Sequence, residues 1–318
     1  MTAVVSIETK LLLAEKLFND VGQQYVILND SAAATTFIIG DSATGNYPDL
    51  SNLTNPRIIK NHEYNRIYAA IGRSEDWNTT DSAPTPGLNP RTIRTAQYSL
   101  QAFKQVTDYK FVIPRYNWTS GATYNSYDDN QTGYPTNAYY VLTDENLIYI
   151  CIQRAKNASG SAQPSTVKPS GTASSPFKTA DGYIWKFLYS IDANGANKYL
   201  AANFMPVEKV VADSANNPLL TISQTQQFTI QSTASNGAIL NIQLDSGGAG
   251  YTNAPAITVY GNGSAAVAHA TLSGTSISKI ELDSAGAGGL NYTYANITIA
   301  DSSGVTKPAV ARPIIGPS

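Results

Sequence analysis

Cysteine, histidine and charge are all scarce in this chain, and each scarcity removes a class of function. The single cysteine among 318 residues, Cys151, cannot form an internal disulfide. It lies in the apolar run Leu147-Ile148-Tyr149-Ile150-Cys151-Ile152, where a buried, inert thiol is expected. The histidines, His62 and His269, cannot assemble a Cys/His zinc site with one cysteine. His62-Glu63 lacks the second histidine that a zincin helix requires, and neither histidine sits near a nucleophile elbow. No Gly-x-x-x-x-Gly-Lys loop is present to cradle a nucleotide phosphate. No stretch approaches the roughly 20 apolar residues of a membrane span, and the N-terminus does not read as a signal peptide. A soluble chain made in the cytoplasm is therefore expected. Charged residues make up 14% of the sequence, against roughly 25% in ordinary soluble proteins. A net charge of −2 leaves no basic face for nucleic acid.

Glycoside hydrolysis needs only two carboxylates at a suitable separation. Candidates such as Glu75, Asp76, Asp128, Asp129 and Glu145 all fall in polar, turn-like contexts that read as solvated surface. No catalytic, cofactor-binding or metal-binding residue is assigned. The chain is expected to be non-enzymatic, with no cofactor and no small-molecule substrate.

Asn, Thr, Ser, Ala, Gly and Tyr take the place of the missing charge, with 20 Tyr against 8 Phe. A surface rich in Tyr and poor in Lys and Glu suits packed protein–protein contacts, because Tyr contributes area at little rotamer cost. Ile7, Leu11, Ala14, Leu17, Phe18 and Val21 recur at helical spacing, with Ser6 to cap the start and Gly22 to end it. A second helix is expected over 92–107. Short strands are expected over 25–28, 35–39, 66–72, 109–113 and 183–191, and near 205–211. Segments 138–142 and 147–153 form a hairpin around Thr143-Asp144-Glu145-Asn146. The Ser/Gly/Pro/Ala-rich stretch 157–178 reads as an exposed, mobile loop.

The last eighty or so residues change character. Ile239-Leu240-Asn241-Ile242-Gln243-Leu244-Asp245-Ser246-Gly247 recurs as Ile277-Ser278-Lys279-Ile280-Glu281-Leu282-Asp283-Ser284-Ala285. Each copy leads into a Gly-rich turn and then a strand, Ala256-Ile257-Thr258-Val259-Tyr260 and Asn296-Ile297-Thr298-Ile299. This is an internal duplication of β-hairpin units, expected to pack as a small sandwich. Gly247-Gly248-Ala249-Gly250 and Gly286-Ala287-Gly288-Gly289 open no helix, offer no phosphate site and read as hairpin turns. The fold class is β-rich α+β. Residues 1–236 form a mixed-sheet domain with one or two helices, 237–305 a small all-β module, and 306–318 a tail.

Three segments carry the strongest signal: Gly72-Arg73-Ser74-Glu75-Asp76-Trp77, Ile113-Pro114-Arg115-Tyr116-Asn117-Trp118 and Asp181-Gly182-Tyr183-Ile184-Trp185. In the first two, an apolar strand breaks at Gly or Pro, then gives Arg and Trp, the residues most often found as interface hot spots. Arg73, Trp77, Arg115, Trp118 and Tyr183 are candidate partner-contact residues, whereas Trp185, between Ile184 and Phe187, reads as a core anchor. In this order, across roughly residues 1–210, the segments resemble the baseplate wedge subunit of T-even-like contractile-tailed bacteriophages, the gene-eight product family. The C-terminal duplication departs from that family and resembles Gly-rich β-modules common in phage structural proteins. The resemblance implies a structural subunit of the virion's tail baseplate, assembled in the host cytoplasm. Its partners would be a second copy in a homodimer and other baseplate wedge proteins, with no nucleic acid and no membrane. The rival reading from another class is a receptor- or carbohydrate-binding tail protein.

Overall fold

The computed structural model describes residues 25–29, 37–40, 56–60, 68–72, 90–98, 100–106, 109–131, 135, 137–207, 221–300 and 304–316. The helix expected over 6–21, together with Arg73 and Trp77, lies outside them. The chain divides into two compact units, 1–109 and 110–318. The duplicated module falls in the same unit as the strands before it.

In the first unit, β1 (Tyr25–Asn29) is the centre of an antiparallel sheet between β2 (Phe37–Gly40) and β3 (Pro56–Lys60). A separate ribbon joins β4 (Tyr68–Gly72) to β5 (Leu100–Gln105), and α1 (Pro90–Tyr98) leads into it. The helix expected over 92–107 therefore stops at Tyr98. Beyond it Ala102 and Phe103 lie opposite Ile71 and Ala70, so strand pairing overrides a helical spacing of apolar residues.

The second unit is built on a four-stranded antiparallel sheet. Its strands β7 (Tyr140–Leu142), β8 (Leu147–Gln153), β9 (Phe177–Lys178) and β10 (Ile184–Ser190) lie in the order β7-β8-β10-β9. Beside it β6 (Phe111–Pro114) pairs with β11 (Phe204–Val207). One sheet face buries Val141, Tyr149, Cys151, Trp185 and Phe187 with Tyr124 and Tyr183, and with Ile230 from α3 (Ile222–Thr233). The start of α3 is fixed by a capping box, in which Thr221 Oγ1 accepts from the Gln224 amide and the Thr221 amide donates to Gln224 Oε1. The other face buries Tyr140, Leu142, Ile148 and Tyr189 with Met205, near α2 (Ala193–Tyr199). Burial on both faces explains why β8 and β10 read as continuous apolar runs. Burial also pushes the Cys151 thiol far above its ordinary range, which makes it inert. The fold is β-rich α+β, as expected, and its named strands pair antiparallel. Among the described residues the one parallel contact is the isolated bridge Asn117–Leu142.

The C-terminal duplication is present, but its copies interlock instead of forming separate hairpins. The first copy runs through β12 (Ala238–Ser246), β13 (Ile257–Gly261), β14 (Ser264–Ala266) and β15 (Ala268–Ser273). The second runs through β16 (Ser276–Leu282), β17 (Gly288–Leu290), β18 (Ala295–Ile299) and β19 (Val310–Gly316). The leading strand of each copy pairs with the final strand of the other, β12 with β19 and β16 with β15. The middle strands pair across the copies, Ile257 with Ile299, Thr258 with Thr298 and Val259 with Ile297. A local two-fold axis thus passes between Thr258 and Thr298. The expected C-terminal tail contains β19, so it is part of the module.

The Gly-rich segments are not hairpin turns, and the two-fold shows what they do. A Cβ at Gly247 would stand 2.2 Å from the Ile277 carbonyl oxygen, and one at Gly288 would stand 2.1 Å from that of Ile239. Ile277 and Ile239 are equivalent positions of the repeat. Each copy therefore presses a glycine onto the leading strand of the other, where no side chain fits. Tyr251 and Tyr292 fill the shared core with Ile242, Ile277 and Ile280. The module is welded to the central sheet through Ala238 and Leu240, which cluster with Ile152 and Ile184.

Lys186 on β10 is out of keeping with this apolar setting. It is 4% exposed, and its Nζ has no hydrogen-bond partner among the described residues. Burial pushes its ammonium down to about 8. Between that value and the ordinary lysine value the unfolded chain binds the extra proton, so stability rises with pH across the interval and its deficit is full below it. Lys186→Met is expected to stabilise the protein by about 2–3 kcal/mol near neutral pH, with the gain shrinking as pH rises toward the lysine range. Urea midpoints measured across that pH range test this, and identical midpoints for the two proteins at neutral pH would overturn it.

Candidate functional site

Two of the three sequence motifs meet in space. Pro114 ends β6 and Arg115 turns the chain; its amide donates to the Asn203 carbonyl at 2.9 Å. The Arg115 guanidinium is engaged by the protein itself: Nε donates to Asn117 Oδ1 at 2.8 Å and Nη1 to the Ala201 carbonyl at 3.0 Å. Arg115 thus clamps the approach to β11. Three residues on, the Trp118 amide donates to the Leu142 carbonyl, and the indole lies against the Tyr124–Trp185 core. Indole Nε1 donates to Ser165 Oγ at 3.1 Å.

Ser165 belongs to the low-complexity segment 157–178, most of which is exposed as expected, but the segment is anchored at Ser165 and Pro169, which are buried. Ser165 is fully buried. Its amide donates to the Ala122 carbonyl, its carbonyl accepts from the Gly121 amide, and its hydroxyl donates to Asp181 Oδ2 at 3.0 Å. The same oxygen accepts the amides of Thr166 at 2.8 Å and Val167 at 2.9 Å. Asp181 Oδ1 accepts from Thr179 Oγ1 and from the Tyr183 amide. Further along, Gly171 gives its carbonyl to the Tyr149 hydroxyl at 2.6 Å. Burial and the Glu145 carboxylate push that phenol up to about 12.

Tyr183, expected at a partner contact, is fully buried, which removes it from any surface of this fold. It stacks on Trp185 at 5.5 Å between ring centroids, and its hydroxyl donates to the Gln163 carbonyl at 2.6 Å. The two motifs are therefore one assembly, a chain of hydrogen bonds running from Trp118 through Ser165 to Asp181 and the Tyr183 turn. Sequence reasoning found the Asp-Gly turn but missed Ser165, which carries no local signal in a run of small polar residues.

What remains accessible is an open cleft of about 560 Å³ on the outer side of this assembly. Arg115, Asn117, Trp118, Thr119, Asp144 and Lys168 line it. Lys168 bridges Asp144 at 2.7 Å and Glu145, so one cation at this end is shared by two carboxylates. The Lys168 hydrogen bond holds the Asp144 carboxyl below its usual range. No group of three His, Cys, Asp or Glu able to hold a metal occurs among the described residues. None of their helices is long and apolar enough to cross a membrane. No protein-family model matches the chain, and no curated protein matches it.

Burial alone would raise the Asp181 carboxyl. Hydrogen bonds from Thr179, Val167, Thr166 and Ser165 outweigh it and hold the group below the ordinary aspartate value. Its stabilising contribution is therefore present above that ordinary value and lost as pH falls through the lower, folded one. Asp181→Asn is expected to cost about 1–3 kcal/mol at neutral pH, since one Asn cannot accept what two carboxylate oxygens accept. It should also flatten the acid limb of the stability profile. Urea unfolding of both proteins at neutral and acidic pH measures this; an unchanged neutral midpoint would deny Asp181 its holding role.

Proposed function

We propose that this chain is a structural subunit of the baseplate wedge of a contractile phage tail. It acts by shape, through self-association as a homodimer and through docking onto neighbouring wedge proteins, and it catalyses no reaction. The observation that carries this reading is the ordered set of Gly-Arg-Ser-Glu-x-Trp, Ile-Pro-Arg-x-x-Trp and Asp-Gly-Tyr-x-Trp motifs. Two of them are joined by the Trp118–Ser165–Asp181 chain. Motif residues spent on architecture fit a protein whose work is to hold a form.

The β4–β5 ribbon supports the same reading. Tyr68, Ile71 and Phe103 are exposed on it, all of β4 is exposed, and among the described residues it has two strands, an arrangement marginal in water by itself. A neighbouring subunit lying over the ribbon would remove its apolar surface from solvent.

Disrupting the gene in its phage and viewing the lysate by electron microscopy tests the proposal. The expected result is heads and separate wedge fragments without complete baseplates or tails. Complete particles that fail only to adsorb would replace the wedge reading with that of a receptor- or carbohydrate-binding tail protein.

A further inference from the structure

The interlocked module presents a surface that its architecture does not need. In the β13–β18 ribbon, Ile257, Val259, Ile297 and Ile299 turn inward to the module core. Their alternates Thr258, Tyr260, Asn296 and Thr298 are all exposed. The ribbon itself carries no charge: no Asp, Glu, Lys or Arg occurs from Ser246 to Ser278, or from Ser284 to Ala300, and the His269–Asp283 pair lies beside Ala256, at the end away from Tyr260. Two tyrosines dominate one end of it, Tyr260 at 65% exposed and Tyr294 at 55%. Tyr260 pairs with Asn296, which places Tyr294 at the diagonal position, within reach of a large side chain.

The local two-fold makes this end distinctive. Through the equivalence of Thr258 with Thr298, the partner positions of Tyr260 and Tyr294 are Ala300 and Ala254. The frame is symmetric, but the aromatic pair is not, so folding of the module does not require it. The tyrosine end is also held rigid. Asn262 Oδ1 accepts the amides of Thr293 at 2.9 Å and Tyr294 at 3.3 Å, while Nδ2 donates to Thr293 Oγ1 at 2.9 Å. A platform fixed in this way loses little conformational entropy on binding.

Size and chemistry identify the occupant. Two five-residue strands cover roughly 17 by 10 Å. That is far less than the ~800 Å² each partner contributes to a stable protein interface. Tyr rings offer an apolar face for the C–H face of a sugar ring, and their hydroxyls stay wet. Neighbouring Thr and Asn side chains both donate and accept hydrogen bonds, as sugar hydroxyls require. The absence of charge selects against uronic, sialic and phosphorylated glycans.

We propose that the Tyr260–Tyr294 end of the β13–β18 ribbon binds a neutral polysaccharide. The site stands whether or not the chain is a wedge subunit. The test is retention of the full chain on an array of neutral glucans, mannans, galactans and N-acetylhexosamine polymers, with hyaluronate and heparin as charged controls. Binding to at least one neutral polymer is expected. Tyr260→Ala and Tyr294→Ala should each weaken it roughly three- to tenfold, and Ala300→Ser at the equivalent position should leave it unchanged. Both tyrosines are exposed, so an unaltered thermal midpoint in each variant separates lost binding from lost folding. Retention on no neutral polymer, equal retention of all variants, or preference for the charged controls would overturn the proposal. A change of sedimentation coefficient in the tyrosine variants, without a change in glycan retention, would overturn it in favour of a protein partner.

Discussion

The side chain of Asp181 accepts hydrogen bonds from Ser165, Thr166, Val167, Thr179 and Tyr183, and the second unit is organised around that convergence. A partly buried carboxylate also costs free energy unless its lone pairs are satisfied. Here the donors come from two stretches of chain, so satisfying the charge also sews the low-complexity segment to the start of β10. Through Ser165 the connection extends to the Trp118 indole and the end of the β6 turn. The aromatic layer of Tyr124, Tyr183 and Trp185 then packs behind a fixed frame. Without the carboxylate, the hydroxyl of the fully buried Ser165 would have nothing to receive it, and the exposed Thr166 and Val167 would lose the fixed acceptor of their amides.

Much of the strand framework was legible because hydrophobic period and turn chemistry agree locally. The hairpin of β7 and β8 around Asp144 and the strand after Asp181-Gly182 lie where alternation and breakers place them. Legibility failed where long-range pairing decides. Leu100 and Phe103 satisfy a helical spacing, yet they belong to β5 because β4 is there to pair with them. Segment 157–178 looks like a linker by composition, since nothing in Ser, Gly and Pro announces a buried backbone. The duplication was visible, but which strand pairs with which was not: alternation says a strand has an inner face and is silent about its neighbour.

The candidate site divides along the same line. Arg115 and Trp118 carry side chains suited to reaching outward, yet the fold turns the Trp118 indole N–H and two of the five Arg115 donors inward, on Ser165, Asn117 and Ala201. Tyr183 was selected for its motif and is a core residue. Arg and Trp at strand ends suit interfaces and interior clamps alike, because a planar donor array or an indole fills either kind of pocket. The surface that the fold leaves unexplained lies in the duplicated module. It is recognisable only after the two-fold is known, because Tyr260 and Tyr294 become conspicuous by comparison with Ala300 and Ala254.

That two-fold also has a kinetic side. The halves of the module are alike once formed, but they are unequal in the distance along the chain over which each must close. The β15–β16 hairpin joins Ser273 to Ser276, whereas β12 must find β19, with Ala238 opposite Gly316. Loop-closure entropy grows with the length enclosed, and pairings between distant residues form late. The hairpin of the second leading strand is thus the natural nucleus. The first leading strand, already packed on the central sheet through Ala238 and Leu240, waits with one edge open for the last strand of the repeat. A symmetric fold encoded by tandem repeats is thereby given a direction in time, with the seam between β12 and β19 as its final closure.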